Sequence, residues 1–512
     1  MQTQSIITNK RSKQRSGILF SLALSSILLG ASCTKHITDL NVDPKNPSVV
    51  PSGSLFLNGE KNLSDALNST ANGISPFRVL AQSWTENTYV SEANYILSAA
   101  DAPTGWWNTL YATLSGTTNS TTGVAVSTTS VLNSLVAAKK AFPTDVTDAA
   151  TLRNDQIITD ILQVYAYSLL VNTYGNIPYT QAFHDSIPFP KYDDAKTVFY
   201  DLLTRLDTAI AGLNAAGGSL GSYDKIYGGD PTQWKKFAAT LKLKLALIVA
   251  DVDPSTAATK VQEAIATGVF TSNNDNALIK YQASPTGNTN PVYQTLVASG
   301  RHDYSPTNLI INTLLDWNDP RLPLYYKQYD SSYLGAVPGA GNGYVKFSQF
   351  SDQWLAATFP GDLLDYSETG FLLAEAVERG IPVSGTAEQY YDSAVTASIE
   401  YWGGSAADAA TYLAQPSVAY GTASGPWRQK IGYQKWIAYA NRGWDAWTEI
   451  RRLGYPNLDA INPPVSATVA LPRRFNYPGN EQTSNPINWA AAVKAVTGGS
   501  ADLLTVNLWW NQ

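Results

Sequence analysis

Cysteine and histidine are scarce in this chain of 512 residues, and their scarcity excludes several kinds of chemistry. Cys33 is the single cysteine, so an intrachain disulfide and a cysteine-based metal cluster are both impossible. The three histidines, His36, His184 and His302, are too few to favour a zinc site. A Ser-His-Asp triad would have to use His184 or His302, since His36 lies in the predicted tether near the start of the chain, which disfavours a serine hydrolase. We therefore expect no catalytic residues, no catalytic metal and no cofactor.

Charged residues are also few, at 15% of the chain against about a quarter in a typical soluble protein. The net charge of −6 provides no basic field, so nucleic acid is not expected as a partner. Uncharged polar residues take the place of charges, beside 14 tryptophans and 29 tyrosines. This composition suits a neutral ligand held by stacking and hydrogen bonds. The alternative is that most of these rings belong to the core.

Long apolar runs are missing as well, and the only candidate, at the start of the chain, is too short for a comfortable membrane span. Four basic residues at positions 10, 11, 13 and 15 precede the apolar run Gly17–Leu29. Three small residues then separate this run from Cys33. This order resembles a bacterial lipoprotein signal, although a leucine stands four positions before the cysteine rather than the commoner three. We expect residues 1–32 to be a signal peptide and residues 33–51 a tether lipidated at Cys33. The alternative is plain secretion with an incidental cysteine.

The stretch Ser367–Trp402 predicts two helices joined by a short turn. Gly380, followed by Ile381 and Pro382, ends the first helix, because glycine caps helix ends and proline cannot continue them. Thr386 can cap the second helix. Small residues on both helices let the two backbones approach. The unit is typical of tetratricopeptide-like arrays, but an ordinary helical hairpin in any α-rich domain fits the same pattern.

Further segments repeat this pairwise order. Asp230-Pro231 opens the cleanest helix, with an aspartate cap and proline at the first helical position, and Asp253-Pro254 breaks it. Its lysines, among them Lys242 and Lys244, are interpreted as a solvated face rather than a binding site. The other predicted helical segments are Leu152–Tyr174, a helix capped by Asp193 or Asp194 that runs to Leu213, Ala257–Thr267, Thr307–Trp317 and a pair over Pro426–Leu453.

Long irregular stretches separate these helices. Leu114–Ser130 is a polar tract interpreted as a loop, and Thr271–Pro360 is rich in Asn, Gly, Pro and Tyr. Loops of such length in a compact protein are usually functional. We therefore predict an all-α fold, a single domain over residues 52–512, in which tetratricopeptide-like hairpins form the scaffold and irregular loops carry the ligand site.

Several motifs, taken in order, resemble those of one family. Tyr174–Tyr179 resembles its Gly-x-Ile-Pro-Tyr motif, Asp319–Leu322 its Asp-Pro-Arg-Leu motif, and Arg451–Pro456 its Arg-Arg-x-Gly-Tyr-Pro signature. The signal with Cys33 and the following Leu40–Pro44 resembles its amino-terminal end. The chain thus resembles the SusD/RagB-like outer-membrane nutrient-binding lipoproteins, and among them the SusD-like subgroup.

This resemblance implies a function as well as a fold. Members of the family are lipid-anchored in the outer membrane and exposed at the cell surface. There they cover a TonB-dependent β-barrel transporter of the SusC type and capture oligosaccharides, glycans or, in some branches, peptides. They do no chemistry themselves. The low charge and the abundant tryptophan of this chain favour a glycan over a peptide.

The candidate ligand contacts combine flat aromatic rings with Asn, Asp and Arg side chains that can bind hydroxyl groups. Each ring can equally be a core or interface residue, and the resemblance transfers no contact to this chain. The candidates are Trp84, Asn87, Tyr89, Trp106, Trp107, Arg301, Asp303, Tyr304 and Trp354.

Two other functions stay open at this point. A surface glycoside hydrolase would need two carboxylates, such as Glu86 with Glu92 or Asp316 with Asp319, although surface or capping roles explain them as well. A repeat scaffold that binds only proteins would need no ligand site at all.

Two smaller expectations concern polar clusters. A structural calcium ion could be held by the oxygens of Asp43–Asn46 or of Asn273–Asn276, although neither has the spacing of an EF-hand. Asp319–Leu322 and Arg473-Arg474 are interpreted as structural, because arginine can fix a loop through bidentate hydrogen bonds.

Overall fold

Helices dominate the computed structural model, which describes residues 50–70, 73–111, 130–184 and 186–511. The all-α class predicted from the sequence is confirmed. The helices are α1 (Ser52–Asn68), α2 (Phe77–Leu80), α3 (Ala102–Leu110), α4 (Val131–Asp145), α5 (Ala149–Tyr174), α6 (Ala195–Gly212), α7 (Pro231–Ile248), α8 (Pro254–Thr267), α9 (Pro291–Tyr293), α10 (Asn308–Asp316), α11 (Leu322–Tyr325), α12 (Tyr366–Glu378), α13 (Ala387–Tyr401), α14 (Ala406–Leu413), α15 (Trp427–Ala438), α16 (Gly443–Leu453), α17 (Leu458–Ile461), α18 (Glu481–Ser484) and α19 (Pro486–Thr497).

Five predictions fall wholly or largely outside the described residues. They are the signal peptide over residues 1–32, the lipidation of Cys33, the tether up to residue 49, the calcium candidate Asp43–Asn46, and the polar tract Leu114–Ser130 apart from its last residue.

The strands in the described part of the chain pair into four antiparallel ribbons of two strands each. The pairs are β1 with β5, β2 with β3, β4 with β8 and β6 with β7. These ribbons fix the irregular segments between the helices onto the helical scaffold. The strands are β1 (Trp84–Glu86), β2 (Ile177–Pro178), β3 (Tyr192–Asp193), β4 (Ala277–Ile279), β5 (Tyr304–Pro306), β6 (Tyr326–Lys327), β7 (Gln349–Phe350) and β8 (Gly361–Leu364).

The hairpin of α12 and α13 shows how local chemistry defines these elements. The side chain of Asp365 caps α12. Thr386 caps α13 in a reciprocal capping box with Gln389, as its position before the helix predicts. Gly380 follows α12 with a φ of +72°, a left-handed conformation that costs glycine little. The predicted pair of helices is confirmed.

The two helices of this hairpin pack closely because one of them carries a glycine at the contact. A Cβ added to Gly370 would lie only 2.8 Å from the Cβ of Ala394 on the facing helix. Similar packed pairs of consecutive helices recur as α5–α6, α7–α8 and α15–α16. The large apolar side chains of these helices meet in one extensive core.

The start of α8 differs from its prediction. Asp253-Pro254 does separate α7 from α8, but α8 begins at Pro254 rather than at Ala257. The side chain of Asp253 accepts a hydrogen bond from Thr256 N, and proline occupies the first turn, where its missing N–H is not needed. The dipeptide therefore both ends one helix and starts the next.

The lysines of α7 correct a second prediction, since Lys242 and Lys244 are buried rather than solvated. Lys244 Nζ lies 2.5 Å from Asp445 Oδ1 on α16 and 3.0 Å from Glu368 Oε1 on α12. Helix α7 packs against α12 as well as against α6 and α8, so its polar side also faces protein. The sequence gives no local signal of this burial, because the partners of Lys244 lie far away in the sequence.

Arg321 is buried, which supports the structural interpretation of the Asp-Pro-Arg-Leu motif. Its guanidinium forms a bidentate pair with Asp319 at 2.9 and 2.6 Å. It also donates to Gln434 Oε1 at 2.7 Å on α15. Arg474 is likewise buried and pairs with Asp502, so both arginines tie irregular segments to the scaffold.

Candidate functional site

The two sequence clusters of candidate ligand residues meet in the ribbon of β1 and β5. Glu86 pairs with Tyr304 in this ribbon, although the two segments are far apart in the sequence. Just beyond it, the N–H of Asn87 donates to the carbonyl oxygen of Asp303 at 2.6 Å, and its side-chain amide donates to His302 O at 3.2 Å. The ribbon therefore places residues 84–89 beside residues 301–304.

An exposed group of aromatic and cationic side chains lies at this junction. Tyr89 is 63% exposed, and the guanidinium of Arg301 lies 5.6 Å from the centre of its ring. Next to Arg301, the imidazole of His302 stacks on Tyr344, with 4.4 Å between ring centres and 14° between planes. We call these four residues, Tyr89, Arg301, His302 and Tyr344, the Tyr89 surface.

The charge of Arg301 is fixed by its neighbour Asp303. The two form an ion pair, and this hydrogen-bonded partner raises the pKa of the Arg301 guanidinium. About half of the Arg301 side chain stays exposed, against 12% of Asp303. The guanidinium of Arg301 can therefore donate hydrogen bonds to a ligand in the solvent. The less exposed carboxylate of Asp303 keeps the guanidinium in position.

His302 and Tyr344 were not among the candidates. Tyr344 lies in a short 3₁₀ turn inside a run rich in glycine and asparagine, and this run carries no periodic signal. In the sequence, His302 stands out only as one of the three histidines. Because their stacking depends on a contact between residues 42 positions apart (344 minus 302), only the placement of the loops reveals it.

The predicted rings beneath this surface are buried. Trp84 is 1%, Tyr304 3% and Trp354 0% exposed, and the rings of Trp84 and Trp354 lie 5.6 Å apart. Tyr304 donates its hydroxyl to Thr70 O at 2.6 Å, and Trp354 Nε1 donates to Asn441 Oδ1 at 3.0 Å. A ring without an open face cannot stack on a ligand, so direct contact is not supported for these three. They instead pack against one another in the core, where Trp84 contacts both other rings.

Trp106 and Trp107 lie in a different part of the core from Trp84. Trp106 is fully buried and packs edge-on against Phe77, with 4.9 Å between ring centres. A direct ligand contact is therefore not supported for Trp106. Trp107 packs against Tyr111 and Tyr174, and it forms part of the floor of a separate crevice.

The carboxylate pair Glu86 and Glu92 lies inside the protein. Glu86 Oε2 accepts from Ala93 N and Glu92 Oε1 accepts from Gly73 N, each at 3.0 Å. Burial, with a further contribution from Glu92, raises the pKa of Glu86 to about 9. Both carboxyl groups are closed to solvent and hold backbone, so a polymeric substrate could not reach them. In the other pair, Asp319 is buried against Arg321.

The oxygens of the described calcium candidate, Asn273–Asn276, already bind protein donors. Asp275 forms an ion pair with Lys236 at 2.7 Å, and Asn276 Oδ1 accepts from Tyr366 N at 2.8 Å. These bonds leave few oxygens for a calcium ion. Within the described residues, no group of three or more His, Cys, Asp or Glu side chains is arranged to hold a metal ion.

Comparison with known proteins identifies the family. A model of the SusD-like family, described as starch-binding and associating with the outer membrane, matches residues 44–478. The chain belongs to the SusD-like family. The helical hairpins, the Gly-x-Ile-Pro-Tyr motif and the Asp-Pro-Arg-Leu motif are thus explained together.

Solved structures of SusD-like proteins match almost the whole chain. A chitin-binding protein is 26% identical, with a TM-score of 0.75, over 90% of this chain and all of that one. A SusD homolog from Bacteroides vulgatus is 25% identical, with a TM-score of 0.71, over 89% and 97% of the two chains. A chitin-binding SusD homolog from Flavobacterium johnsoniae, at 23% identity and a TM-score of 0.69, covers 89% and 98% and shares the fold.

No curated protein matches the chain in sequence. Among the described helices of this SusD-like protein, none combines the length and the apolar character needed to cross a membrane.

Proposed function

We propose that this SusD-like protein captures a neutral glycan at the Tyr89 surface. The observation that carries the proposal is the family match over residues 44–478, since the family is described as starch-binding. A similar structure at 26% identity is named a chitin-binding protein, which supports a polysaccharide as the ligand. The exposed rings and the guanidinium at the junction of β1 and β5 supply suitable chemistry.

The Tyr89 surface suits a sugar for physical reasons. An exposed aromatic ring can cover the C–H face of a pyranose, and Arg301 can donate to hydroxyl groups around it. The ring of Tyr89 lies against the guanidinium of Arg301, and the next residue, His302, stacks on Tyr344. Because Tyr89 and His302 are exposed rather than enclosed in a cavity, the surface suits one stretch of a longer glycan.

We further propose that the captured glycan is passed to a SusC-like TonB-dependent transporter and is not cleaved. The family is associated with the outer membrane, which supports this location. In this proposal the lipid on Cys33 anchors the protein at the cell surface, and the described chain acts outside the bilayer. The buried state of Glu86 and Glu92 supports binding without hydrolysis.

Affinity gel electrophoresis of the purified protein in a panel of neutral polysaccharides, followed by calorimetry with oligosaccharides, tests this function. We expect at least one neutral glycan to retard migration and to remain intact after incubation. Release of reducing ends would instead favour a glycoside hydrolase. Binding of peptides with no response to any glycan would favour a peptide-binding member of the family.

A further inference from the structure

A second concave site lies apart from the Tyr89 surface, between α3, the β2–β3 ribbon and the start of α19. Its volume is about 230 Å³. This is below the roughly 300–1,000 Å³ of pockets for drug-sized ligands, so it has room for one ring rather than a long chain. We call it the Trp107 crevice. Its floor and one wall consist of Trp107, Tyr111, Phe183, Pro188 and Phe189.

The segment that forms the apolar wall is held in place by polar side chains of α19 and its cap. Asn485 Nδ2 donates to Pro190 O at 2.8 Å, and Asn488 Nδ2 donates to Phe189 O at 3.1 Å. At the floor, the hydroxyl of Tyr111 donates to Pro178 O. The crevice is therefore built by specific hydrogen bonds. Phe189 remains 61% exposed at its mouth.

The opposite wall of the crevice presents mainly hydrogen-bond acceptors. Glu481 Oε2 accepts from the hydroxyl of Tyr192, while Oε1 has no hydrogen-bond partner among the described residues. The hydroxyl of Ser484 donates a hydrogen bond to Asn480 O at 2.8 Å, so its oxygen is left to accept a hydrogen bond from a ligand. A ligand of this wall must donate hydrogen bonds, and the Glu481 carboxylate disfavours an anionic ligand.

We propose that the Trp107 crevice is a second sugar subsite that takes one ring of a 2-acetamido sugar. This deepens, and rests on, the proposed capture of a glycan. The acetamido group carries an apolar methyl that suits the aromatic and proline wall. It also carries an N–H that can donate to Glu481. A plain hexose has a hydroxyl in place of the N–H and lacks the methyl, so it gives up the contact with the apolar wall.

Titration of the full-length protein with N,N′-diacetylchitobiose and with cellobiose tests the proposal. The two disaccharides have the same length and linkage and differ in the acetamido groups. We expect diacetylchitobiose to bind about tenfold or more tightly, because cellobiose lacks the methyl groups that the apolar wall contacts. In saturation-transfer NMR the acetamido methyl should receive the strongest signal from the protein.

Two matched variants locate the effect. Phe189→Ala removes an exposed ring at the mouth of the crevice. It should weaken the binding of diacetylchitobiose about tenfold, since the sugar loses its contact with that ring. Ile487→Ala shortens a side chain on α19 that is 83% exposed and does not line the crevice, and it should leave affinity unchanged. Both proteins should melt at the wild-type temperature.

Failure of the crevice can be told apart from failure of the proposed function. If diacetylchitobiose binding survives Phe189→Ala but is lost in Tyr89→Ala, the crevice is not a sugar subsite, while glycan capture stands. Equal affinity for the two disaccharides would also overturn the proposal. If no polysaccharide or disaccharide binds the wild-type protein, the proposed function itself is wrong.

Discussion

Single residues near the β1–β5 junction divide into a surface layer and a base layer. Tyr89 is 63% exposed, whereas Trp84, five positions earlier, is 1% exposed and carries the guanidinium of Arg78 5.0 Å from its ring centre. The difference arises because the ribbon directs residues 84–86 into the core, while Tyr89 lies beyond it with a φ of +59°. A role in binding therefore depends on the layer and not on the residue type.

Glu86 in the base layer makes stability depend on pH. Its pKa rises to about 9 through burial and through Glu92, against about 4.3 in an unfolded chain. A raised carboxyl pKa stabilises the fold fully below the unfolded value, and that contribution is lost as pH rises towards 9. Glu86→Gln should flatten the dependence of unfolding free energy on pH between about 5 and 9, and should stabilise the protein near pH 8 by up to about 5 kcal/mol, at about 1.4 kcal/mol for each unit of pKa difference.

Urea unfolding at several pH values measures this effect. The exposed Glu388 on α13 provides the control, and Glu388→Gln should keep the wild-type slope. A Glu86→Gln protein with that same slope would show that Glu86 is ionised in the native state, contrary to the prediction.

Individual helices are defined by local signals, which is why much of the fold is predictable from the sequence. The caps at Asp230, Thr386 and Gly380 all lie within a few residues of the backbone groups they satisfy. The burial of Lys244 was not predictable in this way, because Glu368 and Asp445 lie 124 and 201 residues further along the chain. Contacts of that range are set by packing and leave no local signal.

The same limit applies to the candidate site. Tyr89 and Arg301 could be named from composition, because an aromatic ring near asparagine and an arginine near tyrosine suggest sugar chemistry. Their approach depends on the β1–β5 ribbon, which joins segments 218 residues apart at Asn87 and Ser305. Trp84 carries the same local signal as Tyr89, so its burial could not be foreseen.

Helix α7 provides a test of the buried ion pairs between elements. Lys244→Met should destabilise the protein by about 3 kcal/mol or more, because Glu368 and Asp445 lose a buried positive partner. Lys235→Met, at a half-exposed position of the same helix, should change the unfolding free energy by about 0.5 kcal/mol or less. Equal effects of the two substitutions would contradict the buried network.

The hairpin of α12 and α13 provides a second test. In an isolated helix, Gly→Ala stabilises by about 1 kcal/mol. At Gly370 the new Cβ would meet Ala394 at 2.8 Å, so Gly370→Ala should instead destabilise by about 1–2 kcal/mol in urea unfolding. Adding Ala394→Gly should recover part of the loss, since it removes the colliding atom. A stabilised single variant would show that the helices do not pack so closely.

The whole molecule combines a helical scaffold with irregular segments that carry the proposed ligand surface. Packed helical pairs provide the core, and the ribbons fix residues 84–89 and 301–304 on it. The low charge, first noted in the sequence, leaves uncharged polar and aromatic groups to contact a neutral ligand. This arrangement is consistent with capture and release, because binding requires no rearrangement of the core.

Attachment to the membrane is a prediction at this same scale. If Cys33 carries the lipid, Cys33→Ser should abolish incorporation of labelled fatty acid and move the protein from the outer-membrane fraction to the soluble fraction. The described fold is unaffected by the change, so glycan binding should persist. A Cys33→Ser protein that remains in the membrane fraction would show that another feature attaches it.

The central claim is tested most directly by calorimetric titration of wild type, Tyr89→Ala and Tyr223→Ala with the same neutral oligosaccharide. Tyr223 is the matched control, as a tyrosine that is 40% exposed and packs near Gly53 on α1. We predict that wild type and Tyr223→Ala bind equally, and that Tyr89→Ala binds about tenfold more weakly, which corresponds to roughly 1.4 kcal/mol, with an unchanged melting temperature. Equal affinity of all three proteins, or no binding by the wild type, would contradict glycan capture at the Tyr89 surface.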